Sequence, residues 1–325
     1  MTSCAIAMFT HSRPHWANRA LAALAACDHF AECRTYVFCD GPRGDADATA
    51  VSQNLRVVRE WAGQTGATVV ASESNRGLAQ QIVSGVTQVL DRHERVIVLE
   101  DDLLIAPSFL SFMLQALERY EDSESVMQVA GFSEVAGRKP PAASFVSTTS
   151  TWGWGTWRRA WARFRVPSRA EVAALGADPD WSWRFDVGGS YPYCEMLWDR
   201  LDDRNQSWGI MWYFSVFAER GKVIRATPSL VWVGGFDATG ENCGAAQIPQ
   251  RRLCDVLDDH GGASRVWPEN TTVRDSDMMS VQEWNRSLLE ATSGSADRRP
   301  LWRRIRSRAT RWYRSARRAA SGAAP

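Results

Sequence analysis

Val96-Ile97-Val98-Leu99-Glu100-Asp101-Asp102-Leu103-Leu104-Ile105-Ala106-Pro107-Ser108-Phe109-Leu110-Ser111-Phe112-Met113 is the stretch that decides the fold. Val96 to Leu99 is a short, continuous, β-branched apolar run, the pattern of a strand buried on both faces in a parallel or mixed sheet. Three carboxylates follow at its C-terminal end, where open α/β sheets bind their ligands. Pro107 suits the first position of a helix, and Phe109, Leu110, Phe112, Met113, Ala116, Leu117 and Tyr120 recur at helical spacing. The acids are therefore expected on a strand-to-helix loop. Three adjacent carboxylates repel one another, and holding them at a buried strand end requires a cation or a set of ligand hydroxyls. Magnesium or manganese suits such oxygen ligands, commonly with one or two carboxylates and substrate phosphates. The competing reading is a solvated acidic turn.

Upstream, Cys4 to Phe9, Thr35 to Cys39 and Thr68 to Ala71 read as strands. Helices are expected over about 16–26, 46–62 and 78–90, so that the opening strand is the fourth. Strands and helices alternating at this interval imply βαβ units, right-handed crossovers and a mostly parallel sheet flanked by helices, an α/β fold. Neither G-x-G-x-x-G nor a Walker lysine motif occurs, which disfavours dinucleotide binding and NTP hydrolysis.

The second half differs. Thr151-Trp152-Gly153-Trp154-Gly155-Thr156-Trp157 is too rich in glycine for a regular element and is expected to be a loop facing a ligand, its indoles stacking on sugar rings. The rival is a tryptophan-rich core. Ser207 to Phe217 reads as a buried helix with Gly221 as its C-cap, preceded by Asp199, Asp202 and Asp203. Lys222 to Ile224 reads as a strand, and it and the apolar Leu230 to Val233 lead into a polar, glycine-rich loop from Gly234 to Cys243.

With 325 residues the chain needs no disulfide staples, and its seven scattered cysteines include no C-x-x-C pair. A reducing compartment is expected, with no signal peptide and no apolar run long enough to span a membrane. The net charge of +1 conceals an asymmetry. From Arg298 onward there are ten arginines and no acid, so residues 1–297 hold 28 basic against all 37 acidic residues, a formal −9. Leu301, Trp302, Ile305, Ala309, Trp312 and Ala316 fall near one face of a helix, the pattern of a segment lying in an anionic membrane interface. Residues 298–318 are thus expected to hold the protein to the inner membrane face from the cytoplasm, and nucleic acid is disfavoured because no other basic patch occurs. A merely solvated tail is the alternative.

On Val96 to Met113 the chain resembles the strand-DXD-helix segment of GT-A-fold glycosyltransferases, most of all the N-acetylglucosaminyltransferase I family with its Glu-Asp-Asp variant. The tryptophan segment and Gly235-Phe236-Asp237-Ala238-Thr239-Gly240-Glu241-Asn242-Cys243 resemble bacterial relatives that build cell-surface polysaccharide or glycolipid. The resemblance covers roughly residues 4–245 and implies a GT-A-like, Rossmann-like sheet. Residues 1–120 would form a nucleotide-sugar-binding half and 121–250 an acceptor-binding and catalytic half of one domain, followed by an irregular extension (251–297) and the arginine-rich tail (298–325).

The resemblance further implies that Asp102 coordinates Mn2+ or Mg2+ on the donor diphosphate, while Glu100 and Asp101 bond the ribose and the transferred sugar. Arg13 would contact the nucleotide and Asp40 would read uracil, with Arg76 also on the donor side. Trp152, Trp154, Trp157 and Trp208 would shape the acceptor side. Inverting relatives place a carboxylate base just before the tryptophan that opens the late helix, but Gln206 and Ser207 stand there in this sequence. Asp203 or Asp202 through a shifted loop, or Asp237 or Glu241, are the remaining candidates. A second departure is Asn242, where many relatives carry histidine. The expected function is metal-dependent transfer of a hexosyl or N-acetylhexosaminyl group, from a UDP-sugar in preference, to a glycan or lipid-linked acceptor. The alternative is a catalytically weak nucleotide- or sugar-binding protein of the same fold.

Overall fold

The computed structural model describes residues 4–133, 143–189, 191–234 and 253–260. The first half follows the alternating pattern closely: β1 (Cys4–Thr10), α1 (Pro14–Ala25), β2 (Arg34–Cys39), α2 (Asp45–Thr65), β3 (Thr68–Ala71), α3 (Leu78–Leu90) and β4 (Arg95–Glu100). Every residue of β1 and all of β4 up to Leu99 are buried, because the strands are covered on both faces. Pro14 opens α1, where its missing N–H costs nothing, and Gly66 closes α2 in the left-handed region at φ 75°.

The acidic triplet does not lead into a helix as expected. After Glu100 the chain turns at Asp101 and Asp102 into a short strand, β5 (Leu103–Ile105), and only then into α4 (Phe109–Arg119). The apolar run Leu103 to Ile105 is long enough for three residues of extended chain, and Pro107 holds the chain out of the helix until Ser108.

The remaining described elements are β6 (Val126–Ala130), β7 (Ala143–Val146), β8 (Trp154–Trp157), α5 (Arg158–Trp161), α6 (Arg169–Gly176), α7 (Pro179–Phe185), α8 (Tyr193–Leu201), α9 (Gly209–Ala218), β9 (Lys222–Ala226), β10 (Val231–Val233) and α10 (Leu253–Leu257). Eight strands form one sheet in the order β3-β2-β1-β4-β8-β6-β9-β7, and β10 pairs with β5 in a separate ribbon. β3, β2, β1 and β4 are mutually parallel, as are β6 and β9, whereas β8 and β7 run antiparallel to their neighbours. The fold is thus α/β with a mixed, mostly parallel sheet. α9 ends at Ala218 with Glu219 as its C-cap, and Gly221 lies beyond it. Gly221 is required for close approach, since a Cβ there would lie 2.4 Å from the Met127 sulfur.

The tryptophan segment is not a ligand loop. Trp154 to Trp157 is β8, inserted between β4 and β6, with Gly155 opposite Ile97 and Val129. Trp154 and Trp157 are buried, as is Trp208. Trp157 donates its indole N–H to Leu117 O at 2.8 Å, and Trp154 packs among Trp161, Trp208 and Trp212 with ring centroids 5.4–6.2 Å away. The glycine serves the packing: a Cβ on Gly155 would lie 3.0 Å from both Met113 Cε and Val96 O. Glycine here lets α4 close onto the sheet. Of the four tryptophans expected on the acceptor side, only Trp152 is half-exposed, set edge-on against Phe132 at 4.8 Å. A second apolar cluster, including Val172, Trp181, Phe185, Leu197, Met211 and Phe214, joins α6, α7, α8 and α9 beside the sheet.

Candidate active site

β1 has β2 on one side and β4 on the other, so the strand order reverses there, and open α/β sheets form their ligand crevice beyond strand ends of this kind, here those of β1 and β4. Three of the residues expected on the donor side, Arg13, Asp101 and Asp102, meet at this place. Arg13, at the N-cap of α1, donates from Nη1 to Asp102 Oδ2 at 3.0 Å and from Nη2 to Asp101 Oδ1. The His11 backbone N–H donates to the other Asp101 oxygen at 3.4 Å. Residues 90 positions apart are joined because Phe9 and Glu100 are register partners at the strand ends.

One arginine cannot neutralise three acids held out of water. Burial pushes the Glu100 carboxyl up to about 8, with Asp102 and Asp101 adding to the rise and Arg13 opposing it. Burial likewise pushes Asp101 up to about 6 against the pull of Arg13. Both groups bind protons more tightly folded than unfolded, so their contribution to stability is present below about pH 4.5 and is lost as pH rises toward 8. The metal-free protein is expected to lose several degrees of Tm between about pH 5 and 8, a shift of the size a few kcal/mol produces in a domain of this length. Manganese should restore the loss increasingly as pH rises, since it competes with those protons. Differential scanning fluorimetry across that range checks both signs.

Asp40, expected to read a base, is instead spent on the protein. Buried at the end of β2, its carboxylate accepts from the backbone N–H groups of Gly41, Arg76 and Gly77 at 2.9 Å each, from Gln81 Nε2 at 2.9 Å and from Asn75 Nδ2 at 3.1 Å. Five donors saturate a group with about four lone-pair positions. Asp40 therefore fixes the turn from Asn75 to Gly77 against β2 and corrects the expectation of base recognition. Arg76 joins this arrangement through its backbone N–H, and its side chain is exposed. His11 and Asn75 are site residues that the sequence reading passed over. His11 Nε2 lies 3.1 Å from Gly41 O, 3.3 Å from Asn75 Nδ2 and 3.5 Å from an Asp47 carboxylate oxygen. The Thr10-His11-Ser12-Arg13 run directly after a buried strand was the available signal.

No protein-family model matches the chain, and none of the curated proteins does. Solved structures with a similar course include S. aureus TarS, at 13% identity and TM-score 0.40 over 71% of this chain and 36% of that one. The mannosyltransferase PcManGT from Pyrobaculum calidifontis, in complex with GDP-Man and Mn2+, matches at 14% identity and TM-score 0.36 over 66% of this chain and 68% of that one. Glucosyl-3-phosphoglycerate synthase from Mycobacterium tuberculosis, with Mn2+, UDP and glucosyl-3-phosphoglycerate, matches at 12% identity and TM-score 0.30 over 47% and 57%. The chain spans about a third of the length of TarS and just over half to two thirds of the other two. At these identities and scores the likenesses carry no argument about activity, which rests on the site's own geometry.

Of the carboxylates expected to act as base, the two that the structure describes are held in ion pairs with arginines. Asp202, at the end of α8, pairs with Arg169 and Arg204, and Asp203 pairs with Arg200 while 84% of its side chain is exposed. No hydrogen bond or ion pair among the described residues links either to the triplet. Asp237 and Glu241 lie outside the described residues, as does the tail. The described chain reaches Gly234 at the site itself, where its N–H donates to Asp102 O at 2.8 Å.

Among the described residues, no three His, Cys, Asp or Glu side chains converge in a metal cage. The triplet nonetheless fits a divalent cation of the kind that takes one or two carboxylates and completes its shell with phosphate oxygens and water. Such a cation would offset the burial, and the repulsion among the carboxylates, that push Glu100 and Asp101 up. The six described cysteines are free thiols, and no described helix is long and apolar enough to cross a membrane.

Proposed function

We propose that this protein is a metal-dependent glycosyltransferase that takes its sugar from a nucleotide-diphospho sugar. The observation that carries the reading is Arg13 bridging Asp101 and Asp102 at the switch point of the sheet, beside a half-buried Glu100. A cation of the crevice, held through Asp102, would neutralise charge on the departing diphosphate, a contribution usually worth several kcal/mol. Arg13 is placed to turn from the carboxylates toward a phosphate, for which its planar fork is suited. In the reaction an acceptor hydroxyl oxygen bonds to the sugar's anomeric carbon, the bond from that carbon to the diphosphate oxygen breaks, and the hydroxyl proton passes to a base.

A UDP-sugar donor, a hexosyl or N-acetylhexosaminyl group, and an acceptor belonging to a bacterial cell-surface polysaccharide or glycolipid complete the proposal. Residues 298–318 would bring the enzyme to the cytoplasmic face of the inner membrane, as their ten arginines and interleaved tryptophans suggest. Removing residues 298–325 is expected to abolish co-sedimentation with anionic liposomes and leave activity in solution intact. Unchanged co-sedimentation would remove the membrane role. The test of the reaction is a panel of nucleotide sugars screened for manganese-dependent thermal stabilisation and then for release of free nucleotide. Stabilisation without any release, by water or by acceptors, would favour the second reading, a binding protein without a competent base. The ion pairs that occupy Asp202 and Asp203 are what give that reading its weight.

A further inference from the structure

The crevice is graded along its length. At one end stand His11, Asn75 and the Asp40 turn, all polar, and the His11 N–H leads from them to Asp101. Arg13 joins Asp101 to Asp102 in the middle. From Asp102 the line continues through its carbonyl to the Gly234 N–H, and Gly234 is covered by the ring of Trp16: a Cβ on that glycine would lie 2.4 Å from Trp16 Cη2. Trp16 is one helical turn beyond Arg13 in α1, so a second, independent connection ties it to the same carboxylates.

Trp16 does not stand alone. Trp232 of β10 lies with its ring centroid 6.1 Å away at an angle of 32°, and the Arg19 guanidinium sits 4.7 Å from the Trp16 centroid. β10 is held opposite β5, the strand that leaves the triplet, with Trp232 opposite Leu104 and Val233 opposite Leu103. Val231 and Val233 are buried, whereas Trp232 and Trp16 are half-buried, so part of each indole remains open to solvent. Indole surface beside a polar, charged centre is the pairing that recognises a sugar ring, apolar C–H groups on the ring and hydroxyls toward the polar groups.

We infer that Trp16 and Trp232 form the wall that holds the pyranose ring of the nucleotide-sugar donor, with the diphosphate at Asp102 and the nucleoside toward His11 and Asn75. The inference rests on the proposed donor chemistry and gives the donor sugar a half-buried indole pair, distinct from Trp154, Trp157 and Trp208, which were expected on the acceptor side and are buried. It also explains Gly234, since any side chain there would displace Trp16 from the position next to Asp102.

The test uses the full chain with Trp16→Leu and Trp232→Leu, which keep an apolar side chain without the aromatic face, and Trp16→Phe, which keeps an aromatic face. Calorimetry compares UDP with UDP-glucose, UDP-galactose and UDP-N-acetylglucosamine, and GDP with GDP-mannose, all with manganese. The nucleotide sugar that binds the wild type most tightly relative to its bare nucleotide is expected to lose roughly three- to tenfold in affinity on either leucine substitution, the span of one lost aromatic contact. Affinity for the bare nucleotide should not change, and Trp16→Phe should recover most of the loss. Equal weakening of nucleotide and nucleotide sugar would assign the pair a purely structural role and overturn the inference, as would no weakening of either. Failure of the wild-type chain to bind any of these nucleotides with manganese would overturn the parent reading as well, and would be evident before any substitution is made.

Discussion

Replacing Asp102 by asparagine is expected to lower manganese-dependent affinity for the donor nucleotide on the order of a hundredfold or more, the scale on which metal sites respond to losses in and around their ligands. The amide keeps the shape of the side chain but carries no charge. The fold should survive, because Asp101 still receives Arg13 and the His11 N–H, and the β5–β10 ribbon depends on the Asp102 carbonyl rather than on its side chain. Metal-independent binding, measured with EDTA present, should change far less. Calorimetric titration with and without manganese separates the two quantities, and an Asp102→Asn protein with full manganese-dependent affinity would dissociate the triplet from the metal.

Asp40→Ala has the opposite profile: a large cost in stability, on the order of 3–5 kcal/mol, arising from buried donors left without their charged acceptor. The backbone N–H groups of Arg76 and Gly77 and the Gln81 amide lose their shared partner, so the turn preceding α3 should loosen. Thr10, which ends β1 and receives Asn54 at 2.9 Å, accepts the Asp40 N–H through its carbonyl at 3.0 Å and would feel the change. Urea unfolding of the wild type and the variant measures this. A cost below about 1 kcal/mol, together with lost nucleotide affinity, would return Asp40 to the role of base reader.

The parallel half of the fold was legible because β1, β2 and β4 are largely buried and therefore written as apolar runs, and β1, β2 and β3 are each followed by a turn sequence and a helical repeat. β1, β2, β3 and β4 and the helices between them fall within a few residues of their expected positions. The tryptophan segment was misread because alternating glycine resembles loop chemistry. In the structure Gly155 is a contact point, where α4 and the β4 backbone approach β8, and Gly153 sits just before the strand at φ 64° against Val231 and Phe109. Sequence patterns register flexibility and close packing with the same residue, and only the neighbours across the sheet tell them apart.

The site was legible in its charges and not in its divisions of labour. The triplet and Arg13 meet as expected, since the ends of adjacent parallel strands must converge. Asp40 was expected to be a recognition residue through the resemblance alone; four of its five donors come from residues 75–81, more than thirty positions later. Trp16 sat unnoticed in an alanine-rich helix, and Trp232 in an apolar strand. Their adjacency is a product of the β5–β10 ribbon, and the triplet was expected to enter a helix in its place.

The central claim is that the crevice between β1 and β4 binds a nucleotide diphosphate through a divalent cation. Isothermal titration of UDP into the full chain, with manganese and then with EDTA, tests it most directly. Saturable binding with manganese that falls by at least an order of magnitude in EDTA, and is lost likewise in Asp102→Asn, is the predicted result. UDP, with GDP run alongside, showing no binding in either condition or binding equally in both, would contradict it.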